Sequence, residues 1–396
     1  MESYILIGGG LAGLTAANAL AQPGRKVTIL EQSEHLGGRA ITQSDQGFSL
    51  NLGPHALYRG GPATRTFHEW DIPFQGHLPA QTGGHFVYRG TKYPLITNTT
   101  SLLTSSLFGI AEKFEAGNLF RLFAAGHAPR QTMRQWIDDH VRSTKVRALA
   151  AALTRLTTFA ADLEHLNAGA ALPQIAMAIA GNVAYLDHGW QTLIDGLAAR
   201  ARSLGVEIQC GTPVETVPPA DGVILAVPPA SVEKLTGARF PNLHPIRVAC
   251  LDLGLSSLPK SAANFGLGID RPVYFSVHSA AAQLAPQGSA LIQMAKYLEA
   301  DSDPAADRAE LEQFADLLVP NWRDHVLMTR FLPSMTVSHA MATPEGRPDI
   351  GALNIPGIAI AGDWVGPENM LADAVVSSAL RAAAMVQKSK SARNAA

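Results

Sequence analysis

Cysteine is nearly missing from this chain: two residues, Cys210 and Cys250, in 396. Neither sits in a cluster with metal-ligand spacing, so a disulfide framework and a cysteine-built metal centre are excluded, and no metal is expected. Both read as reduced thiols, buried as small hydrophobes in a cytoplasmic protein. An excess of one charge is missing as well. The 31 basic residues nearly cancel the 33 acidic ones, which leaves no electrostatic footprint for a nucleic-acid partner. No apolar run reaches the roughly 18 residues that a spanning helix needs. The first residues lead into a strand-like run, Tyr4 to Ile7, without the basic segment or cleavage site of a signal peptide. A cytoplasmic location is therefore expected. Polar low-complexity sequence is also scarce: 47% of residues are hydrophobic and 16% charged, so the chain can bury a sizeable core. Its length suggests roughly two or three domains, and no internal repeat is visible.

What is present begins at the first residues. Tyr4 to Ile7 reads as a strand, Ala12 to Ala21 as a helix of small residues, and Lys26 to Leu30 as a second strand. Between the first strand and the helix lies Gly8-Gly9-Gly10-Leu11-Ala12-Gly13, a G-x-G-x-x-G fingerprint, and Glu31 follows the second strand. Gly8 suits the tight turn, Gly10 lets backbone approach a pyrophosphate, and Gly13 lets the helix sit close to the strand. The helix N-terminus at Leu11 and Ala12 offers free N–H groups and positive potential to phosphates. Glu31 can accept from both ribose hydroxyls and would repel a 2′-phosphate.

Further along, Phe86 to Tyr88 and Lys92 to Leu95 read as a hairpin joined by Arg89, Gly90 and Thr91. Leu102 to about Leu172 is helical in pattern, and Gln191 to Leu204 is another helix. Val206 to Gln209, Gly222 to Val227, Val248 to Leu253, Val273 to Val277 and Ala290 to Ala295 are strand candidates. Gly357 to Ala361 is an apolar strand followed by Gly362-Asp363-Trp364, and Met370 to Ala374 opens a helix that continues through Arg381. An acidic residue after a strand can hold a polyol hydroxyl. A helix N-terminus can stabilise negative charge developing on a ring.

After Glu31 comes Leu36-Gly37-Gly38-Arg39, then Asn51-Leu52-Gly53-Pro54-His55. This arrangement resembles the superfamily of flavin amine oxidases, phytoene desaturases and protoporphyrinogen oxidases. Tyr185 to Trp190, with Leu193, resembles the family's aromatic-x-x-Gly-Gly segment, except that His188 stands where the first glycine is usual. Leu284-Ala285-Pro286-Gln287-Gly288 is similar to a stretch common in phytoene desaturases. The resemblance implies an FAD-dependent oxidoreductase with noncovalently bound FAD. In it Arg39 meets a phosphate beside Gly37 and Gly38, and Gly53, Pro54 and His55 pass by the flavin ring. The backbone of Val214 reaches the adenine, Asp363 after Gly362 binds the ribityl chain, and Met370, Leu371 and Ala374 lie by the flavin. The expected fold is α/β. A discontinuous Rossmann-like FAD-binding domain (1–75, 183–235 and 340–396) is interleaved with a mixed α+β substrate domain (76–182 and 236–339).

The substrate side is written less plainly. Leu103, Leu107, Ile110 and Phe114 follow helical spacing, which fits either a core helix or a peripheral membrane contact. His55 reads either as a proton acceptor, the one catalytic candidate, or as a packing residue. Lys296 reads as a surface lysine. Inserted segments rich in Leu, Phe and Ala point to an apolar small-molecule substrate, lipophilic or cyclic, dehydrogenated by hydride transfer to flavin N5. The electron acceptor stays open. The alternatives are a flavin amine oxidase and, in another class, a flavin-dependent isomerase or a flavin-binding protein without turnover.

Overall fold

The computed structural model describes residues 1–80, 82–127 and 130–395, with side chains up to residue 388. The chain enters through strand β1 (Glu2–Ile7), turns into helix α1 (Leu11–Leu20) and returns as strand β2 (Arg25–Leu30), parallel to β1. Tyr4, Leu6, Val27 and Ile29 are buried on these strands. Helix α1 is apolar on nearly every face. It lies between the sheet and two more helices, Gln191–Ser203 and Leu371–Ala395. Such a helix has no solvent side to keep polar, so its small residues let three layers approach one another. The closest approach is at Gly13, where a Cβ would stand 1.9 Å from the carbonyl oxygen of Gly8.

Three distant segments complete this five-stranded parallel sheet. Its order is Glu207–Gln209, β2, β1, Gly222–Leu225 and Ile358–Ile360. Its central strands carry near-continuous apolar runs, as parallel strands covered on both faces require, while the edge strand Glu207–Gln209 is mostly polar and partly exposed. A seven-stranded sheet forms separately, in the order Val326–Ser338, Ile246–Leu255, Ala290–Leu298, Val273–Val277, Phe265–Gly268, Gly84–Tyr88 and Thr91–Pro94. Its pairs are antiparallel except where Phe265–Gly268 joins Gly84–Tyr88. The hairpin is tighter than expected. Tyr88 pairs directly with Thr91, so only Arg89 (φ 48°) and Gly90 (φ 73°) form the turn, both in the left-handed conformation that a two-residue turn demands.

The stretch expected to be helical resolves into Thr99–Thr104, Ile110–Ala125, Met133–His140, Thr144–Thr158 and Ala168–Gly181. Their shared core buries Leu102, Leu107, Leu119, Phe123 and Trp136. Leu103, Ile110 and Phe114 stay outside it, 59%, 79% and 76% exposed. Among the described residues no helix is long and apolar enough to cross a membrane. Cys250 is buried, but Cys210, expected in the interior, is only half-buried because it follows the edge strand of the parallel sheet.

Gly13→Ala drives a methyl group into the backbone of the preceding turn, where no side chain can move aside. Overpacking of this kind costs about 1–3 kcal/mol. Thermal or urea unfolding should show a clearly lowered midpoint, and an unchanged midpoint would mean that α1 can lift off the sheet freely.

Candidate active site

The turn between β1 and α1 divides its glycines by task. Gly8 has φ +107°, and a Cβ there would meet the Ala226 carbonyl at 2.5 Å. Gly10 is different. A Cβ there would have only backbone of Gly37 near it, at 3.7 Å, so the space in front of it is open. Gly10 is the N-cap of α1 and supplies no side-chain cap, and the first turn carries no acidic residue. The N–H groups and positive end of the helix therefore face outward as an anion site. A second glycine pair closes over the turn: the Gly37 N–H donates to the Gly9 carbonyl at 3.0 Å.

This turn forms part of the wall of a cavity of about 510 Å³, a size suited to a small-molecule or cofactor site. Of the residues expected at the cofactor, Gly8, Gly10, Leu11, Ala12, Glu31, Gly37, Gly38, Arg39, Pro54, His55, Val214, Gly362, Asp363 and Leu371 line it. Four do not. Gly13 packs on the Gly8 carbonyl, and Gly53 faces Cys250 and Met335 of the seven-stranded sheet. Met370 belongs to the core of the helical region, and Ala374 is buried at 1% exposure. From the last helix it is Leu371, Ala372, Asp373 and Val375 that reach the cavity.

Glu31 is buried, and its carboxylate accepts from the Gly9 N–H at 2.5 Å and the Ser33 N–H at 2.8 Å. It thus ties the fingerprint turn to β2 and keeps lone pairs for a further donor. Arg39, expected at a phosphate, lines the cavity and is also held from the protein side. Its guanidinium pairs with Asp363 and donates to the carbonyls of Thr336 (3.3 Å) and Val337 (2.6 Å). A buried carboxylate needs such a counter-charge. Asp363 also accepts from the backbone N–H of His339 at 2.6 Å. Burial alone would raise its pKa; the charge of Arg39 and the His339 and Ser338 donors outweigh this and hold the group well below the usual carboxylate range. Arg347, half-buried and lowered by desolvation to about 10, donates to the carbonyls of Asp363, Gly366, Glu368 and Asn369 and so shapes the loop before the last helix.

The Asn51–His55 loop is clamped from below. Arg330 pairs with the fully buried Asp252 (2.6 Å) and donates to the Asn51 carbonyl. Gln293 bridges Asp252 (3.2 Å) and the Gly53 carbonyl (3.4 Å). The Asn51 side chain accepts from Thr42 Oγ1 (2.7 Å) and the Trp190 N–H (3.0 Å). Above this clamp His55 sits edge-on to Trp190, ring centroids 4.9 Å apart. His55 Nδ1 lies 3.0 Å from the Gly53 carbonyl. A carbonyl only accepts, so Nδ1 carries the proton and Nε2 keeps its lone pair. Burial, and then the charges of Arg39 and Arg330 against the opposing Gly53 contact, lowers the His55 pKa and keeps the ring neutral.

At the segment where the sequence departs from its resemblance, His188 has φ 61°, a left-handed conformation that glycine adopts without strain, and its side chain is exposed. The close approach falls on Gly189, whose Cβ would stand 2.4 Å from Thr42 Oγ1. Lys296 ion-pairs with Asp307 (2.8 Å) and Glu310 (2.6 Å) away from the cavity. Tyr58, Phe159, Met335, Val337 and His339 line the cavity although nothing in their local sequence marks them. Asp373 lines it too, with its carboxyl pushed up to about 6 by burial, and accepts from the Ala63 N–H at 2.9 Å.

Known proteins share this fold and short stretches of this sequence. Among solved structures, an oxidoreductase from Methanosarcina mazei superposes with a TM-score of 0.78 at 17% identity, over 96% of this chain and 99% of that one. A cyclohexylamine oxidase from Brevibacterium oxydans superposes with a TM-score of 0.69 at 14% identity, over 98% and 99%. At these identities the likeness establishes the fold. An L-amino-acid oxidase of Naja atra is 49% identical over 58 residues, 14% of this chain and 11% of that one. A 4,4'-diaponeurosporene oxygenase of Staphylococcus aureus is 45% identical over 56 residues, again 14% and 11%. The chain thus matches about a tenth of the length of these curated relatives. The family described as flavin containing amine oxidoreductase matches residues 11–240, more than half of the chain, and the protein belongs to that family.

Proposed function

We propose that this protein binds FAD noncovalently and dehydrogenates an apolar small molecule, lipophilic or cyclic. Residues 1–75, 183–235 and 340–396 form the cofactor unit in this reading, and 76–182 and 236–339 the unit that selects the substrate. One observation carries it. A single cavity joins the uncapped N-terminus of α1 and Glu31 to a wall of Tyr58, Phe159, Met335 and Val337. A dinucleotide fits the first part: the missing Cβ of Gly10 leaves room for phosphates, and the first turn of α1 carries no acidic side chain. The N–H groups at Leu11 and Ala12 would hold the phosphates, Glu31 the ribose, Val214 the adenine, and Asp363 the polyol. FAD bound there supplies the two-electron acceptor for a hydride. His55, neutral and with its proton on Nδ1, takes the proton released from the substrate.

The second part of the wall favours apolar ligands. Glu31 and Asp363 belong to the cofactor, and Asp373 is turned onto the Ala63 N–H. An amine would need a carboxylate or an aromatic cage near the reacting atoms. An apolar ligand needs only burial, about 25 cal/mol per Å².

The flavin-loaded protein should release all its colour on denaturation and filtration. Its flavin should bleach anaerobically with bulky polyenes or tetrapyrroles and not with small hydrophilic amines. The opposite preference establishes an amine oxidase, and a flavin that no substrate bleaches establishes a non-redox role. In the same assay Gly10→Ala should keep the wild-type unfolding midpoint yet bind FAD about tenfold or more weakly, the scale of a lost charge-assisted hydrogen bond, about 1.5–3 kcal/mol.

His55→Asn should slow anaerobic bleaching by about 10²–10⁴-fold. The sign of the pH dependence follows from the lowered pKa. The reactive form is the neutral ring, so the wild-type rate should fall in acid with a midpoint below the ordinary imidazole value of about 6.5. A rate independent of pH from 8 down to about 4, or an Asn variant at full speed, would assign His55 to packing.

Peripheral membrane contact belongs to the same reading, through the exposed Leu103, Ile110 and Phe114. Replacing all three by Ser should abolish co-sedimentation with phospholipid vesicles and leave the folded midpoint unchanged. A wild-type protein that stays in the supernatant removes this part of the proposal.

A further inference from the structure

Away from the cavity, the loop between helices Thr144–Thr158 and Ala168–Gly181 meets the segment leading into strand Ile246–Leu255. Asp162 and His165 come from the loop and His244 from the segment, and one ligand atom from each lies within 4.8 Å of the other two. Asp162 Oδ1 accepts from the backbone N–H groups of Glu164 (3.0 Å) and His165 (3.2 Å), which fixes the carboxylate and turns Oδ2 toward His165 Nδ1 at 2.7 Å. The two imidazoles stack, centroids 4.7 Å apart and planes 22° from parallel. Among the described residues neither ring nitrogen of His244 has a hydrogen-bond partner. Its backbone is anchored, since its carbonyl accepts from the Met341 N–H at 2.7 Å.

We propose that Asp162, His165 and His244 form a binding site for one divalent cation of the zinc type. Two imidazole nitrogens and one carboxylate oxygen are a borderline donor set that suits Zn²⁺ and does not suit Mg²⁺ or Ca²⁺, which take oxygen ligands. With bonds of about 2.0–2.2 Å, a tetrahedral ion draws His244 in toward the other two donors and parts Asp162 Oδ2 from His165 Nδ1, which stand 2.7 Å apart without it. The half-exposed side chains of His165 and Asp162, at 55% and 42%, have the freedom to make that movement. The fourth position of a tetrahedral ion is left to water. The Glu345 carboxylate adds favourable charge nearby. Its pKa is held down by its own backbone and the Thr343 hydroxyl, and also by Arg130 and His165. A bound ion cross-links the helical region to the connection into the seven-stranded sheet. It does so three residues from Phe159, which lines the cavity.

Isothermal titration of the flavin-loaded protein with ZnCl₂ tests the site. One saturable site is expected, with a raised unfolding midpoint in zinc and no effect of MgCl₂. Asp162→Asn retains the turn through its amide oxygen and, like His244→Gln, should weaken zinc binding at least tenfold while the metal-free midpoint stays at the wild-type value. X-ray absorption of the zinc form should show nitrogen and oxygen ligands including two imidazoles. Absence of saturable binding overturns the proposal. So does zinc binding that is unchanged in the His165→Ala/His244→Ala double variant.

Discussion

Asp363 is a carboxylate taken almost wholly out of water, 4% exposed at its side chain. An ion so placed costs several kcal/mol unless charge and hydrogen bonds meet it. The groups that meet it come from different parts of the chain. Arg39 follows the first βαβ unit, and His339 follows the long strand of the seven-stranded sheet. Because Arg39 also donates to the carbonyls of Thr336 and Val337, satisfying Asp363 joins the end of the parallel sheet to the edge of the other one. The cavity lies along this junction, and its wall takes residues from both.

The same economy recurs under the Asn51–His55 loop. The fully buried Asp252 and its partner Arg330 stand in a sheet whose buried residues are mostly apolar. They hold backbone carbonyls of the loop in place, directly and through Gln293. Arg347 does the corresponding work for the loop before the last helix, with four carbonyls as its partners. Each of these half-buried cations fixes a piece of irregular backbone that has no ladder of its own. Such backbone needs these partners, because buried carbonyls left without donors are costly.

Local pattern carried the parallel sheet well. The fingerprint, the acidic residue after β2 and the apolar strands at Gly222–Leu225 and Ile358–Ile360 are short-range signals, and each marks an element whose neighbours in space share the same pattern. Roles inside a helical turn were harder to read. Met370 and Ala374 belong to the last flavin-like segment, yet helical periodicity turns Leu371, Ala372 and Val375 to the cavity instead. Gly10 and Gly13 look alike in sequence and differ only in what stands opposite them, open space in one case and the Gly8 carbonyl in the other.

The sequence by itself marked the flavin family and the α/β frame, because a glycine-rich turn between strand and helix is made of consecutive residues that pattern can read. Tertiary structure decided the rest. It turned Arg39 onto Asp363, since a counter-charge is chosen by proximity in space. It chose Tyr58, Phe159, Met335 and Val337 as part of the cavity wall, since no spacing rule links residues from separate elements. It also brought His244 onto Asp162 and His165, ligand-type side chains with no motif between them, because only folding sets the distance across so long a stretch of chain.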